Sequence, residues 1–176
     1  MSETTGPLEP LEDLRIAVSM GVAAQAAIQH ADTKAAVLLT GLVGVAALSA
    51  NQPGLAAAAV HAGTAATVCM IILAAAIVVG TSVAGWHLGR CILPRLTGPD
   101  GATGNRFALP DLGAHPRPST PAPVERQRDD AWAAAEVLAA IAVQKYQAIR
   151  VSLPWVAGTA IGSVGWWCLA ATIGGQ

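Results

Sequence analysis

Two stretches of the chain, residues 35 to 89 and residues 151 to 176, contain no Asp, Glu, Lys or Arg, and every formal charge lies in the segments that alternate with them. A helix needs roughly 20 apolar residues to cross a hydrocarbon core of about 30 Å, because inside it the backbone polar groups must bond to one another. The first uncharged stretch is long enough for two crossings. Asn51, Gln52, Pro53 and Gly54 divide it with a turn cluster that a helix does not continue through without strain. The pattern therefore predicts a helical hairpin. Span one runs from about Ala35 to Ala50, a few residues short, with Lys34 reaching back to the interface along its aliphatic stem. Span two runs from about Thr67 to Gly89 and ends against Arg90. Span three begins near Val151, carries Trp166 and Trp167 toward its far end, and stops at Gly174.

The charged segments have helical periods of their own. Between Leu8 and His30, Leu11, Leu14, Val18, Val22 and Ala26 fall on one stripe, with Glu12, Arg15, Ser19 and Gln29 elsewhere. No Gly or Pro separates the second half of this amphipathic helix from span one, so the two are expected to be one unbroken helix. After span two comes Pro94-Arg95-Leu96. Residues 97 to 123 follow, with Pro99, Pro110, Pro116, Pro118, Pro121 and Pro123, a composition that cannot bury a core and predicts a weakly ordered loop. From Val124 to Arg150 the pattern turns helical again, opened by Glu125, Asp129 and Asp130 and carrying Trp132, Leu138, Ile141 and Ile149. The expected fold class is an all-α integral membrane protein: three transmembrane helices, with cytoplasmic amphipathic stalks on the first and third. Its divisions are an N-terminal helix at 1–34, a membrane hairpin at 35–89, a loop at 90–123, a second amphipathic helix at 124–150, and a third span with a short external end at 151–176.

Composition agrees with the pattern. With 53% hydrophobic and 12% charged residues and a mean hydropathy of +0.51, an ordinary soluble domain is excluded. Basic residues are retained on the cytoplasmic side of a membrane. Here Arg15 and Lys34 precede span one, eight more lie between Arg90 and Arg150, and none lies between 51 and 64. An interior amino terminus, an external carboxyl terminus and a bacterial inner-membrane location are expected. Residues 1 to 13 are acidic and the first long apolar run follows Lys34, which does not fit a secretory signal. The 90 to 150 segment holds eight basic and six acidic residues with no basic stripe or glycine-rich nucleotide loop, so nucleic acid is not an expected partner. Cys69, Cys91 and Cys168 have neither paired nor metal-type spacing, and Cys91 is read as a packing residue ahead of an acylation site. His61 falls in the turn region and His87 beside Arg90, without matched ligands. No nucleophile with a base, and no converging carboxylates, are visible, so neither an enzymatic site nor a cofactor is expected.

The residues left to carry a mechanism stand where helices meet the membrane. Asp32 and Lys34 occupy the entry to span one, and Lys145, Tyr146 and Arg150 the entry to span three. A carboxylate at the edge of a low-dielectric region needs a partner, so Asp32 is expected to pair with Lys145 or Arg150. The plainer reading makes Lys34, Lys145 and Arg150 snorkelling anchors. Pro154 lacks the amide that would bond the Arg150 carbonyl, which makes it a hinge candidate or a passive kink. Gly85 with Gly89, and Gly158 with Gly162, have the spacing that lets helix backbones approach in lipid, within one subunit or between copies.

The segment HADTKAAVLLTGLVG, residues 30 to 44, and VQKYQAIR, residues 143 to 150, resemble the transmembrane effector family of bacterial Pycsar anti-phage systems, and Pro94-Arg95-Leu96 fits as well. In that family a cyclase makes a cyclic pyrimidine nucleotide on infection, and the effector then impairs the inner membrane so that the infected cell stops growing. The resemblance implies a non-enzymatic membrane effector, a homo-oligomer in the lipid bilayer, with Asp32, Lys34, Lys145, Tyr146 and Arg150 as gating or assembly residues. The chain has no segment that could form a cyclic-nucleotide-binding domain. A cyclic CMP or cyclic UMP signal would therefore enter through a partner protein or between the stalks of an oligomer. An alternative of another class is a membrane anchor or accessory subunit that holds a cytosolic partner.

Overall fold

The computed structural model of the chain describes residues 9–52, 54–93 and 122–174. Four helices account for nearly all of them, and no strand occurs among the described residues. Helix α1 spans Pro10–Ala50, α2 Leu55–Ala62, α3 Thr64–Ile92 and α4 Val124–Gly174. Three of these, α1, α3 and α4, are long and apolar enough to cross a membrane. Pro94-Arg95-Leu96 and most of the Pro-rich 97 to 123 segment lie outside the described residues.

The two longest helices run without a break across the expected junctions. α1 opens with Pro10, whose fixed φ suits a first helical position, and places Glu12 and Asp13 in its first turn, where they face the positive end of the helix dipole. It continues through Lys34 to Ala50, as the absence of a breaker predicts. α4 continues for 51 residues through Pro154. Its start is tied down by Gln127, whose amide nitrogens reach back to the carbonyls of Ala122 and Pro123 at 2.6 and 3.1 Å.

The region between spans one and two is more ordered than expected. Residues 55–62, read from the sequence as part of a turn, form α2, because alanine is the strongest helix former and five of its eight residues are alanine. Two glycines with positive φ, Gly54 at 96° and Gly63 at 109°, make the corners on either side, in a conformation that other residues rarely adopt. The Thr67 hydroxyl lies 3.1 Å from both the Ala59 and the Gly63 carbonyl oxygens, tying α2 to the start of α3. His61 therefore belongs to the last turn of α2, and the helix of span two begins at Thr64.

The chain forms two compact units. Among the described residues the first takes in 9–30 and 122–145. Among the described residues its buried positions are alanines and one lysine: Ala17 on α1, and Ala131, Ala134, Ala135, Ala142 and Lys145 on α4. The apolar stripe read from the sequence of α1 is not what this unit buries. Leu11, Val18 and Val22 are 56%, 42% and 63% exposed, while the small face one register away is the one that packs. Closely packed helices select small side chains at the contact, and apolar periodicity alone does not distinguish the two faces. The unit is pinned near its end by Trp132, whose indole N–H donates to the Asp13 carboxylate at 3.1 Å.

The second unit comprises residues 31–93 and 146–176. Its buried positions among the described residues are Ala31, Ala35, Leu42 and Ser49 on α1, Leu55 and Ala59 on α2, Ile77, Gly80, Ala84, Leu88 and Cys91 on α3, and Ile149, Ser152, Thr159, Gly162 and Ser163 on α4. Steps of three, four or seven residues separate most of them on α1, α3 and α4, the spacing of a seam in coiled-coil-like packing. Small and hydroxyl side chains make up most of the inward positions, joined by Leu42, Leu55, Ile77, Leu88 and Ile149, while Val43, Ile72 and Ile161 point outward. That arrangement suits lipid, whose tails are as apolar as leucine, so close packing and not burial of bulk holds the helices together. Closest approach is not at the glycine pairs expected from spacing. A Cβ on Gly80 would run into the Thr159 hydroxyl and come within 3.2 Å of the Trp155 carbonyl, and one on Gly165 would meet Leu73 at 3.0 Å. Gly85, Gly89 and Gly158 have open space around them, and of the two expected pairs only Gly162 is in contact, against Ile77.

Candidate functional site

The entry of α1 into its apolar half is built on two fully buried alanines. Ala31 and Ala35 stand one turn apart on the same face and pack with Leu88 and Cys91 of α3 and Ile149 of α4, with Leu38, Leu39, Ala148 and Val156 around them. Absence of a larger side chain at 31 and 35 is what allows three helices to meet here. The polar residues singled out by sequence flank this contact: Asp32 and Lys34 sit between the two alanines, and Arg150 adjoins Ile149.

Lys34 and Tyr146 come together. The Lys34 ammonium lies 5.6 Å from the centre of the Tyr146 ring, within the range of a cation–π interaction that ties α1 to α4. Tyr146 is 39% exposed, so solvent and headgroups reach the pair. Asp32 is half-buried, Arg150 and Pro154 are exposed, and Lys145 is 7% exposed and engaged. Pro154 leaves α4 helical on both sides, and just before it the Ser152 hydroxyl donates to the Ile149 carbonyl at 2.7 Å. Cys91 is 1% exposed inside the three-helix contact, which makes it a packing residue closed to acylation here.

A second polar group belongs to the first unit. The Arg128 guanidinium donates to Asp129 Oδ1 from Nε at 2.9 Å and from a terminal nitrogen at 2.7 Å, with Asp13 at 3.8 Å. Its hydrogen bond to Asp129 and that carboxylate's charge, with smaller contributions from Asp13 and Glu125, hold Arg128 above the usual guanidinium value. A raised cation contributes while it stays protonated, and this one stays protonated throughout the physiological range, so the cluster introduces no pH switch there.

Sequence reasoning missed the residues that make the packing possible, Ala31, Ala35, Gly80 and Thr159. The signal was available in the run Ile77, Gly80, Ala84, Leu88, Cys91, whose alternating steps mark one continuous face. It also missed the link from Trp132 to Asp13, for which no local signal exists across 119 residues. Among the described residues no group of three His, Cys, Asp or Glu is placed to hold a metal ion.

The family model described as the Pycsar effector protein domain matches residues 18–174, which takes in most of α1 and the whole of α2, α3 and α4. No curated protein and no solved structure matches the chain.

Proposed function

The chain belongs to the Pycsar effector family, and from that premise we propose that it is the membrane effector that impairs inner-membrane integrity and causes abortive infection. Its role lies in the Pycsar anti-phage system, and three of its helices suit a membrane-embedded protein. The observation that carries the reading is that the match runs through all three of those helices. The effector acts as a homo-oligomer in the bacterial inner membrane, amino terminus inside and carboxyl terminus outside, without catalytic chemistry of its own. Cyclic CMP or cyclic UMP reaches it through the oligomer or through a partner protein. Asp32, Lys34, Lys145, Tyr146 and Arg150 form the gating set at the membrane border, and the Lys34 to Tyr146 contact between two helices supports their assignment to it.

Membrane potential, read with a voltage-sensitive dye in bacteria expressing the protein, is the test. Raising cyclic CMP or cyclic UMP is expected to depolarise the cells, and Asp32→Ala to abolish the response. An unchanged potential with the protein present in the membrane would remove the effector reading and leave that of an anchor for a cytosolic partner.

A further inference from the structure

Cations at the membrane border are poorly matched by acids. Residues 33 to 99 contain no Asp or Glu, and neither do residues 137 to 176, yet Lys34, Arg90 and Arg150 stand at the edges of the uncharged stretches. Asp32 is the nearest carboxylate to Lys34 in sequence, but two helical residues separate it by about 160° around α1, and it is engaged in an interaction of its own. Arg150 is exposed and has no ion-pair partner among the described residues.

Lys34 and Arg150 flank one ring. The Lys34 ammonium lies 5.6 Å from the centre of the Tyr146 ring. Arg150 follows Tyr146 by four residues on α4, a spacing that makes side chains neighbours on one helix face, with Cβ atoms about 5–6 Å apart. All three residues are exposed. Between them they carry an ammonium with three donors, a guanidinium with five in a planar fork that matches phosphate, and a phenol hydroxyl. Directly beyond the cations, three and seven residues further along the same faces, come Val37 and Gly41 on α1 and Leu153 and Ala157 on α4, all apolar and exposed, with open space around Gly41.

We propose that Lys34, Tyr146 and Arg150 form a seat for the phosphate of an anionic phospholipid in the cytoplasmic leaflet, its hydrocarbon lying against the apolar faces beyond them. Charge complementarity selects the head, since cations without a matching carboxylate favour a negative group and disfavour a zwitterionic lipid, which brings an ammonium of its own. The apolar strip selects a lipid over a dissolved anion, which would satisfy the donors and leave the strip uncovered. A headgroup held there bridges α1 and α4 at the residues assigned to gating. The inference rests on the reading that the three helices cross the inner membrane with this border on its cytoplasmic side, and it needs no response to nucleotide.

The test is native mass spectrometry of the full-length protein in a neutral detergent, with equal amounts of phosphatidylglycerol and phosphatidylcholine of the same acyl chains. The parent is expected to retain phosphatidylglycerol on the order of tenfold over phosphatidylcholine, since each basic residue near a membrane surface is worth about fivefold in favour of anionic lipid. Lys34→Gln and Arg150→Gln should each lower that ratio about fivefold. Arg150→Lys, which keeps the charge and loses the fork, should lower it about twofold to threefold, and serves where the neutral variants do not fold. Arg90→Gln, which removes a cation at the same border but on α3, should leave the ratio within about twofold of the parent's, as expected of a local seat. Equal retention of the two lipids by the parent would overturn the seat, as would a ratio that falls as far in Arg90→Gln as in Arg150→Gln, which is the mark of diffuse attraction. Displacement of phosphatidylglycerol by millimolar inorganic phosphate would overturn the lipid as its occupant in favour of a free anion. Loss of the lipid preference alongside nucleotide-dependent depolarisation would strike the seat and leave the effector reading intact, whereas the preference without depolarisation would keep the seat and remove that reading.

Discussion

At the scale of single residues, the membrane border is organised by what is small as much as by what is charged. Asp32, Lys34, Tyr146 and Arg150 stand out in the sequence because ionisable and phenolic groups are rare beside apolar runs. Ala31 and Ala35 do not stand out in a chain this rich in alanine, yet neither has any exposed surface. Their small size lets α1 approach Leu88, Cys91 and Ile149 closely, and that approach is the setting in which the Lys34 ammonium meets the Tyr146 ring. A half-exposed cation–π contact contributes about 0.5–1 kcal/mol. Tyr146→Phe keeps the ring and is expected to leave stability nearly unchanged, whereas Tyr146→Leu removes the interaction. A double-mutant cycle of Lys34→Met with Tyr146→Leu, read as thermal stability in detergent, should return a coupling of that size. No coupling would show that the two side chains are merely neighbours.

At the scale of elements, the long helices were legible and their contact faces were not. Uncharged length predicts spans, and the lack of Gly or Pro around residue 34 predicts that α1 is continuous, because hydropathy and breakers act along the chain. Which face of a helix meets another helix is a question across the chain, and the surrounding lipid is as apolar as the interface. For that reason the sequence does not mark Ala17 as the buried residue beside the exposed Leu11, Val18 and Val22, nor Gly80 as the glycine that makes a contact within the chain. α2 was hidden for a different reason: its alanines are too few for a span and sit between two glycines that mark turns. The packing account makes a direct prediction. Gly80→Ala places a methyl group against the Thr159 hydroxyl and the Trp155 carbonyl, the latter part of a backbone with little freedom to move, and is expected to cost about 1–3 kcal/mol. Gly85→Ala enters open space in mid-helix and should be neutral or stabilising by up to about 1 kcal/mol. In the same detergent the melting temperature of Gly80→Ala should fall below the parent's and that of Gly85→Ala should equal or exceed it. A Gly80→Ala protein as stable as the parent would mean that α3 and α4 do not approach at this point.

At the scale of the whole molecule, orientation is decided by electrostatics at the ends of spans and not by the packing within them. The region joining the first two spans, from Asn51 to Gly63, contains no Lys or Arg, while the chain on the other side of those spans contains Arg15, Lys34, Arg90 and Arg150 close to the apolar segments. Basic residues near span ends resist translocation, so three helices with this distribution are expected to enter with the α1 start and the segment between α3 and α4 inside, and α2 and the end of α4 outside. A phosphatase reporter that is active only outside the cytoplasm should then be active when fused after Gln52 or after Ile173, and inactive when fused after Leu93. A fluorescent protein that matures only in the cytoplasm should give the reverse pattern. Because the bias rests on few charges, it is open to a stronger trial: placing three lysines between Asn51 and Gly54 should weaken or invert the reporter pattern, although no residue of the helix contacts has been changed. If the pattern survives that insertion, basic residues do not set the orientation and the long α1 and α4 helices must be inserted by their length and order alone.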